Sequence, residues 1–127
     1  HVFELPNKMA LSREQYFIVQ RIYDGWWQFA YVIAVEAVGM LTLLFMSRRH
    51  ALIMHLALTA IIALVAAQII FWFWTQPANV ATVNWTIVPD NWPVLRRQWE
   101  LSHAAGAAFQ VVAFCALILA ALARRRR

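Results

Sequence analysis

Leu95–Arg127 reads LRRQWELSHAAGAAFQVVAFCALILAALARRRR, and the reading of this stretch decides the fold. Two arginines and a tryptophan open it. Leu101–Ala123 follows as a run of 23 residues, apolar apart from Ser102, His103 and Gln110, and four arginines close it. A helix needs about 20 predominantly apolar residues to cross a hydrocarbon core, and cationic and aromatic residues hold its ends at the interfaces. The stretch therefore predicts a transmembrane helix, span C, over about 98–123. It also carries a cost. Glu100 and His103 stand one turn apart on one face at the mouth of this helix. A carboxylate and an imidazole there are expensive to bury and demand partners.

Outward from this helix the same pattern recurs. Trp26–Met46 and Ala51–Trp74 are apolar runs of 21 and 24 residues, predicting span A over 26–46 and span B over 51–74. Ser47-Arg48-Arg49-His50 is short enough to make A and B antiparallel neighbours. Pro77 is expected to stop span B, leaving a loop to about Pro93. With 63% hydrophobic and 13% charged residues, the chain is far from a soluble average of about 25% charged. The fold class is all-α: a single integral membrane helix-bundle domain over 1–127, an antiparallel transmembrane bundle.

The amino-terminal region is read in two parts. His1–Lys8 resembles the end of a helix stopped by Pro6, so an earlier span is expected to precede His1 and give four spans in the intact protein. Ser12-Arg13-Glu14-Gln15 is a capping-box pattern. It opens a short amphipathic helix to about Tyr23, with Tyr16, Val19 and Tyr23 on one side, expected to lie along the membrane interface.

The net charge of +5 does not point to nucleic acid, because the basic clusters sit at helix ends. There they act as topology signals and contacts for membrane lipids. Arg48, Arg49 and Arg124–Arg127 define a side with no acid, which the positive-inside rule assigns to the cytoplasm, the carboxy terminus with it. All seven tryptophans fall on the other side, either setting helix depth or lining an aromatic mouth for a lipophilic ligand. Cys115, the single cysteine, lies mid-span and reads as packing.

Polar residues within the spans are the candidates for function. Glu36 lies roughly 15 Å below Trp26 at about 1.5 Å per residue, on a stripe with Gly39, Met40 and Leu43. Span C contributes Glu100, His103 and Gln110 on one face, and span B contributes Gln68 at matching depth. His55 falls at another depth and on another face, and reads as an interfacial or structural histidine. His1 and Glu4, if helical, share a face as Glu100 and His103 do. His-x-x-Glu, Glu-x-x-His and an isolated Glu are a ligand set of the kind found in carboxylate-bridged metal sites of helix bundles. His1, Glu4, Glu36, Glu100 and His103 would then hold iron or another transition metal, with haem a weaker fit. The same residues form an intramembrane hydrogen-bond network equally well. The sequence leaves both open.

His1-Val2-Phe3-Glu4-Leu5-Pro6-Asn7-Lys8, Gln20-Arg21-Ile22-Tyr23, and Asn91-Trp92 through Leu95-Arg96 to Trp99-Glu100 and His103 resemble the anthrone-oxygenase-like family of small four-helix membrane proteins. That resemblance implies a bacterial inner-membrane protein and oxidation of a flat, lipophilic aromatic or quinol-like compound by dioxygen. In such a reaction His103 is expected to act as general base or metal ligand, with Glu100 orienting or co-ligating it and Glu36 completing the site. The competing class is a non-enzymatic accessory subunit of a larger membrane complex.

Overall fold

The computed structural model describes residues 3–125, and among them the chain is all-helical with no strand. Three helical stretches are long and apolar enough to cross a membrane: Trp26–Met46, Ala51–Ala81 and Trp92–Arg124. The expected spans are therefore present, with two differences in extent.

The first concerns Pro77. Helix α1 covers Leu5–Ala10, α2 Arg13–Gln20, α3 Phe29–Met46, α4 Ala51–Ile70, α5 Gln76–Ala81 and α6 Trp92–Arg125. Between α4 and α5 lies a π-helical turn, Phe71–Thr75, in which Gln76 N–H donates five residues back to the Phe71 carbonyl. Proline lacks an N–H and its ring crowds the carbonyl four residues earlier. The wider turn removes that clash, so the helical path continues through Pro77 to Ala81 rather than ending before it. The Trp74 carbonyl within this turn accepts from Gln98 Nε2 at 2.8 Å, and Thr75 Oγ1 meets Ser102 Oγ at 2.7 Å. The second difference is that α6 starts at Trp92, six residues before the expected 98. Pro93 falls in its first turn, where a missing N–H costs nothing.

Pro6 is a correction of the same kind. It sits in the first turn of α1 and starts a helix there instead of stopping one. His1 and Val2 lie outside the described residues. The capping box at Ser12 is present: Gln15 N–H donates to Ser12 Oγ at 3.3 Å, and Ser12 N–H donates to Gln15 Oε1 at 3.1 Å.

Two compact units divide the chain, one of His1–Trp27 with Gln68–Ala107, the other of Gln28–Ala67 with Ala108–Arg127. In the second unit the core is Met40 of α3, Ala60, Ala63 and Leu64 of α4, and Ala113 and Ala116 of α6. Buried residues on the α4 segment recur at Ile53, Ala57, Ala60, Leu64 and Ala67, an alternating three- and four-residue spacing that keeps one seam inward. Alanine dominates because lipid is as apolar as leucine. Close backbone approach, rather than water exclusion, is what stabilises helix contacts in a bilayer.

The first unit has a different core, in which Tyr16, Phe17, Ala78, Trp85, Leu95 and Trp99 cluster. The seven tryptophans therefore separate. Trp85 and Trp99 are core residues, Trp92 is half-buried, and Trp26, Trp27, Trp72 and Trp74 are exposed.

Candidate functional site

The site is built within the first unit, from α1, α2 and the start of α6. Helix α2 and the 3-10 turn Arg21–Tyr23 that follows it present Tyr16, Gln20 and Tyr23 to the same network. Helix α6 places Trp99, Glu100 and His103 together. Lys8 of α1 enters between them, and its ammonium lies 2.6 Å from Glu100 Oε1 with both side chains out of solvent. Tyr16 Oη donates to the same carboxylate oxygen at 2.8 Å. Gln20 Nε2 donates to Tyr16 Oη at 2.7 Å, and Lys8 Nζ donates to Gln20 Oε1 at 3.2 Å and to Tyr23 Oη at 3.4 Å. Tyr23 Oη in turn donates to Glu4 Oε1 at 3.2 Å. A buried charge is tolerated only when paired and hydrogen-bonded, and this network meets both conditions for Lys8.

Aromatic rings wall the ammonium. It lies 4.4 Å from the Trp99 ring centre, 4.9 Å from Tyr23 and 5.6 Å from Tyr16, distances at which the ring quadrupole attracts a cation. Trp99 also stacks on His103, with ring centres 3.8 Å apart and planes 25° apart. Asn79 fixes the Trp99 indole, because its Oδ1 accepts from Trp99 Nε1 at 2.9 Å and from Trp85 Nε1 at 3.1 Å.

Trp85 reaches that position through a strained turn. Val83, Asn84 and Trp85 have φ of 48°, 52° and 64°, a left-handed conformation costing L-residues roughly 1–2 kcal/mol each. Burial of Trp85 offsets part of this, as do the bonds Trp85 N–H to Thr82 Oγ1 at 3.1 Å and Thr86 N–H to the Thr82 carbonyl at 3.0 Å.

Arg96 joins α6 to the α1–α2 corner, donating through Nη1 to the Leu11 carbonyl at 3.0 Å. Its guanidinium lies 4.8 Å from the Trp92 ring centre and 5.5 Å from that of Tyr16.

Electrostatics keep both phenols neutral. Burial first, then the charge of Glu100, pushes the Tyr16 phenol far above its ordinary value, and burial and Glu4 raise that of Tyr23. Both are hydrogen-bond donors across the physiological range. Glu100 Oε2 and Arg96 Nε are among the buried side-chain atoms of this site with no hydrogen-bond partner among the described residues.

Of the residues singled out from sequence, Glu100 stands at the centre, His103 on the adjoining stack and Glu4 at the half-buried end of the chain of bonds. His1 lies outside the described residues. Glu36 belongs to the second unit, is half-exposed, and makes no hydrogen bond or ion pair with the described residues. Gln68 and Gln110 are half-buried, and His55 is exposed. Among the described residues no three of His, Cys, Asp and Glu converge as metal ligands, and Glu100 Oε1 is paired with the Lys8 ammonium. Sequence reasoning missed Lys8, Gln20 and Asn79. The spacing of Tyr16, Gln20 and Tyr23 carried a signal for one polar face, whereas Lys8 carried none. The chain matches no protein-family profile, no curated protein and no solved structure.

Proposed function

We propose that the protein is a membrane-embedded oxygenase-like enzyme that takes a proton from a lipophilic aromatic or quinol-like compound and lets the resulting anion react with dioxygen. One observation carries the reading: the carboxylate of Glu100 has one oxygen occupied by Lys8 and Tyr16, while the other is buried and has no hydrogen-bond partner among the described residues. An unsatisfied carboxylate oxygen supports a role as proton acceptor, and the nearby ammonium would favour the anion that forms. The half-buried His103 ring, stacked on the buried Trp99, supports binding of a flat aromatic ligand. The resemblance to anthrone oxygenases adds the reaction class.

The chemistry balances without a further reductant. Glu100 Oε2 takes one proton from an activated CH2 between aromatic rings, and the electron pair delocalises into the ring system. That anion bonds to dioxygen and recovers the proton as a hydroperoxide. Loss of the second C–H proton with cleavage of the O–O bond releases water and leaves C=O, so CH2 and O2 become C=O and H2O. In this reading His103 stands one turn beyond Glu100 and handles the second proton. The finer architecture belongs to the same proposal: an antiparallel bundle in a bacterial inner membrane, with the arginine-rich carboxy terminus in the cytoplasm.

Anaerobic titration with anthrone in nanodiscs tests the first step. The long-wavelength absorption of the anthrone anion should appear on binding to the wild type and be absent with Glu100→Gln. An unchanged neutral spectrum with the wild type would refute the proton transfer.

A further inference from the structure

Glu36 is a carboxyl within a span that the site does not use. It lies at the centre of the span Trp26–Met46, in which an 18-residue apolar stretch is only 6% buried within the chain, against 28% and 17% for such stretches of the other two spans. A carboxyl at the middle of a bilayer is costly and normally faces protein, yet Glu36 has no hydrogen-bonding partner among the described residues. One turn on, a Cβ added at Gly39 would meet nothing within 4 Å. Val32, Val35 and Met46 flank this notch and are exposed.

We propose that a second copy of this chain covers this face, with α3 packed against α3 and the two Glu36 carboxyls bonded to each other. Two arguments select a copy over an unrelated helix. Copies inserted in the same orientation and related by a two-fold axis along the membrane normal place Glu36 at identical depth, so each supplies the other with a partner at the right level. A protonated carboxyl is also self-complementary, because it both donates and accepts. The open notch at Gly39 lets the two backbones approach, as small residues do in membrane helix pairs.

The test uses the full chain with Cys115→Ser, reconstituted in lipid at low protein density. Gly39→Cys and Leu41→Cys are compared under mild oxidation. Both sites are exposed, but they point about 200° apart. Gly39→Cys should form a covalent dimer and Leu41→Cys should not, and single-molecule photobleaching of the parent should count two copies. Glu36→Leu should weaken association roughly 3- to 30-fold, the range of one interhelical hydrogen bond, while Glu36→Gln, which still donates and accepts, should retain it. A single copy per particle, equal cross-linking at both positions, or a different membrane protein captured at Gly39→Cys would overturn the proposal. None of these readouts depends on Glu100 or on oxygenation.

Discussion

The two compact units bury their interiors by opposite means. Around Glu100 the interior is aromatic and ionic, with side chains far apart in sequence bonded in one network: Lys8 to Glu100, Tyr16 to Glu100, Tyr23 to Glu4. Around Met40 it is made of alanines and a leucine, and no side-chain hydrogen bond takes part among the described residues. The difference teaches where to look for function. A polar group whose every atom is bonded within its own unit belongs to the fold. One that keeps an atom or a whole carboxyl without a hydrogen-bond partner among the described residues, as Glu100 Oε2 and Glu36 do, is where a ligand or partner is to be sought.

Breaking the ionic interior should have the largest effect. Lys8→Met or Glu100→Leu alone leaves an uncompensated buried charge and should cost about 3–5 kcal/mol. The double variant should recover much of that loss, because two apolar side chains replace the pair. Equilibrium unfolding in detergent, arranged as a double-mutant cycle, measures the coupling. Additive losses would mean the pair contributes no specific interaction.

The alanine interior should respond to volume instead. Ala60→Leu forces bulk into a position with no exposed surface and should destabilise by roughly 1–3 kcal/mol. The environment of Trp99, followed by the NMR resonance of its indole N–H, should stay the same.

Alkaline pH separates the units again. The Tyr16 phenol is raised above its ordinary 10.0 in the folded protein, so its contribution is complete below pH 10 and is lost as pH rises beyond it, when only the unfolded chain ionises. The slope should reach about 1.4 kcal/mol per pH unit for this buried group, with a smaller, solvent-screened share from Tyr23. Tyr16→Phe should flatten the stability curve above pH 10 relative to the wild type, and an unchanged slope would contradict the burial argument.

The smallest expected effect is a gain. Val83 has φ 48° and an exposed side chain, so Val83→Gly should relieve strain worth about 1 kcal/mol, offset in part by the greater freedom of glycine in the unfolded chain. A fall in melting temperature would show that the valine side chain makes a compensating contact.

How much of this was legible in the sequence follows from how far each signal reaches. The spans were legible because hydrophobic length is a local property: Trp26–Met46 emerged with its expected bounds. The shared face of Glu100 and His103 was legible for the same reason. Pro77 and Pro6 were misjudged because proline is compatible with a first helical turn and with a preceding π turn, and only the backbone around it decides. Lys8 was illegible. A lysine after Pro6-Asn7 reads as an interfacial cation, and its burial depends on Glu100, 92 positions away. Asn79 was hidden for a similar reason, since the residues it joins, Trp85 and Trp99, are brought together by a left-handed turn with no glycine to announce it.

Dioxygen uptake with anthrone as substrate tests the central claim most directly. It is measured for the wild type, Glu100→Gln and the Lys8→Met/Glu100→Leu pair, each first shown to be folded by circular dichroism. The account predicts one dioxygen consumed per anthraquinone formed by the wild type. It predicts a loss of about 100-fold or more in both variants, the scale of a removed general base, even where the double variant regains stability. Uptake by the wild type no faster than in protein-free nanodiscs, or full activity in folded Glu100→Gln, would contradict it.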